Sequence, residues 1–176
     1  RNVHRADATA DLAIHAGPYA DVRAVCGSRR GASGKESSMS VTYGTGEKDD
    51  PRLLRTPPLT SEFQAWRDEA NDPPALVVQV GKTRLSYRRS GIEDCAEMLR
   101  THGDWMPLGN ADEGKPVKPD TVEAWARDEA NPVGGYYGLR KGYRGRFANY
   151  VTPVMELLGL VELEHGARNN RVRAKA

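Results

Sequence analysis

Residues 146–164, RFANYVTPVMELLGLVELE, restrict the fold of this chain more than any other stretch. Phe147, Tyr150, Val151, Val154, Leu157 and Leu158 recur at the spacing of one helical face. Gly145, Asn149, Thr152 and Glu156 then turn the other way, with Arg146 at the edge. Pro153 either kinks this helix or starts a second one with Thr152 as its cap, and Gly159 ends it. LVELE, 160–164, then reads as a strand, HGARNN as a turn by composition, and RVRAKA as a return strand.

The preceding segments show the same mixture of periods. ALVVQVGKTRLSYRR, 75–89, reads as two strands joined at Gly81-Lys82, with Leu76, Val78 and Val80 on one face answered by Thr83, Leu85 and Tyr87. Before it, LTSEFQAWRDEAND predicts a helix capped at Thr60 or Ser61, with Phe63 and Trp66 inward and Pro73-Pro74 as its stop. After it, GIEDCAEMLRTHG carries a helical stripe of Ile92, Cys95, Ala96 and Leu99, closed by Gly103. WMPLGNADEGKPVK is a Pro/Gly-rich loop, and KPDTVEAWARDEANP, 118–132, predicts a further helix. There Asp120 and Glu123 form a capping-box pattern, Val122, Trp125 and Ala126 face inward, and Pro132 ends the run. AWRDEANDP at 65–73 is echoed by AWARDEANP at 124–132, but two copies do not make a repeat architecture, which needs about three units.

Residues 1–46 lack periodicity and contain GSRRGASGKESS, which predicts a disordered or extension tail. Residues 47–176 then form a single small α+β domain.

Charge narrows the function. Residues 91–135 carry 4 Lys/Arg against 10 Asp/Glu, whereas residues 136–176 carry 8 against 3. The basic end is the candidate for holding a polyanion. No apolar run approaches the roughly 20 residues that span a bilayer, so no membrane partner is expected. Cys26 and Cys95 sit in dissimilar contexts and read as free thiols in a reducing compartment, the cytoplasm.

Enzyme signatures are lacking. RRGASGKES has Arg29 where a phosphate loop needs its first glycine, and Glu36 where it needs Ser or Thr. His4, His15, His102 and His165 lie in separate segments with no metal-ligand spacing, and Cys95 falls on an apolar stripe. Neither metal nor cofactor is expected. In GGYYGLRKGYRGRF, 134–147, Tyr136, Tyr137 and Tyr143 alternate with Arg140, Lys141, Arg144 and Arg146. Aromatics that stack on unpaired bases beside cations that track the backbone suit single-stranded nucleic acid. The bland reading makes the same tyrosines a cover for the core.

The order helix, short GLVE entry, then a two-stranded ribbon with a basic return strand resembles the end of a winged-helix DNA-binding domain over residues 91–176. The resemblance implies that Arg146, Asn149 and Thr152 face bases in the major groove, while Arg168, Arg171, Arg173 and Lys175 lie along the wing near phosphates. Two departures stand against it: NPVGGYYGLRKG is far longer than the usual turn between the last two helices, and Glu156 lies on the supposed DNA face. The chain from about residue 50 is also similar to small uncharacterised proteins of halophilic archaea, through LLRTPPLTSEF, HGDWMPLG, NPVGGYYG, KGYRGRF and HGARNNRVRA.

The expectation is therefore an α+β chain with a winged-helix-like C-terminal half, preceded by a helix and a β-hairpin. Its expected role is non-enzymatic nucleic-acid binding, to duplex DNA first, in transcription regulation. A protein-interaction module using the wing and the Gly/Tyr-rich loop is the alternative, beside the single-strand binder. A homodimer stays open.

Overall fold

The computed structural model describes residues 46–109, 111, 114–140 and 146–176. Apart from Gly46, the tail expected over residues 1–46 lies outside the described residues, together with Cys26 and the RRGASGKES run.

Strands β1 (Arg52–Arg55), β2 (Glu62–Asp68), β3 (Ala75–Val80) and β4 (Thr83–Arg88) form an antiparallel meander in chain order. In the β3–β4 hairpin Leu76 faces Tyr87, Val78 faces Leu85 and Val80 faces Thr83, the pairing that the alternation predicts. The helix expected over residues 59–72 is absent, and half of that tract is β2. Its sequence satisfies both periods: Phe63 and Trp66 suit a helix, while Phe63 and Ala65 suit a strand. Ladders to β1 on one side and β3 on the other decide for the strand. Trp66 consequently falls on the opposite face of the sheet from Phe63, where Leu139 packs against its cluster and the Arg84 guanidinium sits 5.4 Å from its ring centre.

The second half runs α1 (Gly91–His102), β5 (Met106–Pro107), α2 (Val122–Trp125), α3 (Phe147–Leu157), β6 (Val161–Leu163) and β7 (Arg171–Ala174), with β5, β7 and β6 adjacent in that order in a second antiparallel sheet. Helices beside two antiparallel sheets make the fold α+β. Helix α1 buries Ile92, Cys95, Ala96 and Leu99, and Gly103 ends it by donating its N–H to the Leu99 carbonyl. At the end of α3, Gly159 takes a φ of 73°; its N–H reaches the Glu156 carbonyl and the Leu160 N–H reaches Met155. This is the glycine-terminated helix end that turns the chain into β6.

Helix α2 is much shorter than expected. Thr121 caps it, accepting a 3.1 Å hydrogen bond from the Ala124 N–H, while Asp120 sits at a φ of 57° just outside. The expected Asp120–Glu123 capping box does not form, because Glu123 is fully buried. The connection to α3 runs along β4, where Arg88 donates to the Tyr137 carbonyl and the Leu139 N–H to Ser86, so the meander's last edge is covered.

One core joins the two halves. Trp125 stacks on Tyr137 at 5.3 Å, Tyr137 packs on Phe147 at 5.3 Å, and Phe147 meets Tyr87 edge to face at 5.8 Å. Helix α3 lies at the centre, with α1, α2, β6 and β1 all against it and Phe63 edge-on to Tyr150 at 5.2 Å. Eight of its eleven residues are buried, so it has no fully solvated face.

Candidate functional site

The enclosure of α3 redistributes the residues expected to touch a partner. Thr152 is fully buried and donates its hydroxyl to the Ala148 carbonyl at 2.6 Å. It cannot reach a base edge in this packing, which corrects the expectation. Asn149 is only 8% exposed and is likewise not offered to a groove. A helical stripe marks one buried face; it says nothing about a second layer, here β1 and β2, closing over the other.

The aromatic expectation changes too. Tyr137 is fully buried and donates its hydroxyl to Asp94 at 3.0 Å, so it belongs to the core instead of to a stacking platform. Burial and the nearby Asp94 carboxylate raise its pKa. Tyr136 is partly buried and packs against the same core. Tyr143, Lys141 and Arg144 lie outside the described residues. Arg140 is exposed beyond the β4 edge, and Arg146, half-buried at the start of α3, is close enough to Glu123 to favour its charged form.

On the ribbon, Arg171 grips Glu164 with Nη2–Oε1 at 2.6 Å and Nε–Oε2 at 3.0 Å, and Arg173 grips Glu162 at 2.5 Å. Both guanidinium groups flank the Trp105 ring, at 5.4 and 4.7 Å from its centre. The hydrogen bonds from Arg171 hold the Glu164 carboxyl below its ordinary value. These two wing arginines are committed to their own ribbon, and their charge is locally compensated.

Three of the expected residues nevertheless meet. Asn149, Arg168 and Arg171 line one cleft of about 630 Å³, together with Lys118. Pro57 and Pro58 from the β1–β2 connection contribute an apolar wall, and Pro107 and Pro116 also line the cleft. The size falls within the roughly 300–1,000 Å³ usual for small-ligand sites. Every charged side chain among the described lining residues is a cation. Arg171 is paired with Glu164, whereas Lys118 and Arg168 have no ion pair with a described residue. Asn149 is nine-tenths buried as a residue, and its carboxamide makes no hydrogen bond to a described residue. His165 helps fix the proline wall: Nδ1 lies 3.1 Å from the Pro57 carbonyl and Nε2 lies 2.9 Å from Glu156 of α3.

Lys118 escaped the sequence reading. Its only signal was KPVKP, where prolines stiffen a loop and hold a lysine out from it.

Away from the cleft, the polar groups have structural tasks. Arg127 bonds Glu123 at 2.6 and 2.8 Å, and the other Glu123 oxygen accepts the Ala148 N–H at 2.9 Å, in the first turn of α3. Burial pushes the Glu123 carboxyl up, opposed by that N–H and by Arg127. Cys95 is a free, fully buried thiol whose pKa burial raises, which keeps it protonated and inert. Among the described residues no group of three or more His, Cys, Asp or Glu could hold a metal ion, and no helix is long and apolar enough to cross a membrane.

A family model described as Family of unknown function (DUF6855) matches residues 44–175. No curated protein and no solved structure matches the chain.

Proposed function

The chain belongs to that family of unknown function, and we propose, from its own geometry, that it is a non-enzymatic nucleic-acid-binding protein that grips the phosphate backbone at the cleft beside its ribbon. The observation that carries this reading is the convergence on one cleft of Lys118 and Arg168, neither ion-paired with a described residue, beside Arg171, with no carboxylate among the described lining residues. Such a cluster attracts a polyanion whatever its sequence.

The winged-helix reading of residues 91–176 enters here as part of the proposal. The order α1-β5-α2-α3-β6-β7, with β7 between β5 and β6, supports it. In such a domain the β6–β7 loop, 164–170, is the wing, and its residues 167–170 border the cleft. The enclosed α3 argues against groove insertion, so single strands are the favoured target and duplex DNA, with a role in transcription, comes second. The reading places the protein in a reducing cytoplasm, in keeping with the free thiol of Cys95.

The test is a titration of labelled single-stranded and duplex oligonucleotides at two salt concentrations, with wild type and the Lys118→Ala/Arg168→Ala double variant. Binding that weakens with salt and in the double variant is expected. Failure of every oligonucleotide to bind more tightly than about 10⁻⁴ M near physiological salt, the weak end of non-specific binding, overturns the reading.

A further inference from the structure

The cleft holds more than a backbone grip requires. Cations alone would serve for phosphate, yet Asn149 also lines the cleft, and its carboxamide makes no hydrogen bond to a described residue. Asn149 is also the residue four before Pro153, which has no N–H to return to the Asn149 carbonyl. The start of α3 therefore carries uncommitted polar groups beside a pair of cations.

Resting on the nucleic-acid reading above, we infer that this cleft receives one unstacked adenine nucleotide of a single strand, with Asn149 recognising the base. An asparagine carboxamide matches the adenine edge: its oxygen accepts from the N6 amino group and its nitrogen donates to N7. Pro57, Pro58 and Pro107 give the lining apolar rings, the kind of surface against which an extruded base packs. Lys118 and Arg168, with no ion pair to a described residue, are placed in the same lining for the phosphate. Among the described lining residues no carboxylate competes for the amino group or repels the phosphate. Asn149 is thus a base-reading residue in a cleft that admits a single nucleotide, and not in a major groove.

The experiment compares oligo-dA, oligo-dC and oligo-dT of equal length, and an oligo-dA carrying 7-deazaadenine, by fluorescence anisotropy at one salt concentration. Oligo-dA should bind about 10-fold or more tightly than the pyrimidine strands, and the 7-deaza strand, lacking the N7 acceptor, should lose that preference. Asn149→Ala should level the affinities without altering the salt dependence on oligo-dC. Since Asn149 donates to nothing described, this variant is expected to keep the wild-type melting temperature. The 7-deaza strand provides the same test without touching the protein. Equal binding of all strands by wild type, or a preference that survives both changes, overturns the inference while leaving the backbone grip intact. Absence of binding to any strand overturns the backbone grip, and the adenine site with it.

Discussion

Gly91, at the start of α1, shows how finely the core around the site is set. A Cβ placed there would lie 2.9 Å from the rings of both Phe147 and Tyr137, inside van der Waals contact. Neither ring can yield easily, because each is fully buried in the same aromatic cluster. Gly91→Ala should therefore destabilise by about 1–3 kcal/mol through overpacking, and chemical denaturation would detect it; a neutral result would mean that the cluster is looser than its distances indicate. Thr152 gives the opposite kind of prediction. Thr152→Val keeps the volume and loses one buried hydrogen bond, so stability should fall by about 1 kcal/mol. Nucleic-acid affinity should stay unchanged, because the side chain is sealed in the buried face of α3. At this scale the sequence was a good guide to chemistry and a poor one to direction. Asn149 and Arg168 were legible as polar residues on a basic, helix-then-ribbon segment. That Asn149 lines a cleft was not, since periodicity fixes angles around a helix axis without saying what packs at each angle.

Among the elements, the two AWxRDEAN-like tracts make the limit of local reading concrete. At 65–71 the tract finishes β2, and at 124–131 it forms α2 and the turns after it. Trp66 has strands on both sides and becomes a sheet residue; Trp125 has Tyr137 and Phe147 beside it and becomes a helix residue. Tertiary contacts outweigh propensity differences of a few tenths of a kcal/mol per residue. The β3–β4 hairpin and α1 were legible because their alternation and stripe admit one reading only. Strand β5, two residues within a Pro/Gly-rich loop, is too short to carry any period. The element-scale prediction concerns Glu123, which joins α2 to the first turn of α3. Glu123→Ala strands the largely buried Arg127 guanidinium and deprives Ala148 of its acceptor, for an expected cost of about 3–5 kcal/mol. Burial raises the folded-state pKa of Glu123, so the protonated carboxyl is the form that folding favours. As pH rises through the ordinary carboxylate range, the unfolded chain ionises first and wild type should lose stability relative to Glu123→Gln. Paired denaturation curves across that range would reveal the convergence; a difference that widens in favour of wild type would reverse the sign of the argument.

For the whole molecule, the question is which of its many cations remain available to a polyanion. The formal net charge is +2, with an acidic stretch at 91–135 and a basic one at 136–176. Folding does not leave these as two opposed poles. Arg171 and Arg173 are balanced within their own ribbon by Glu164 and Glu162, and Arg127 is balanced by Glu123. Lys118 comes from the acidic stretch and Arg168 from the basic one, yet they line the same cleft. Counting charges along the chain thus overstated the ribbon and overlooked Lys118. The two classes should separate in the salt dependence of binding to a single strand. Each phosphate neutralised contributes about 0.7 to the slope of log K against log salt. Lys118→Ala and Arg168→Ala should each lower the slope by about that amount. Arg173→Ala removes a cation whose field Glu162 already cancels, so it should leave the slope nearly unchanged and show itself in a small loss of stability around Trp105. Equal slope changes for Arg173 and Arg168 would mean that the ribbon pairs open on binding, and the interface would then extend along β7 beyond the cleft.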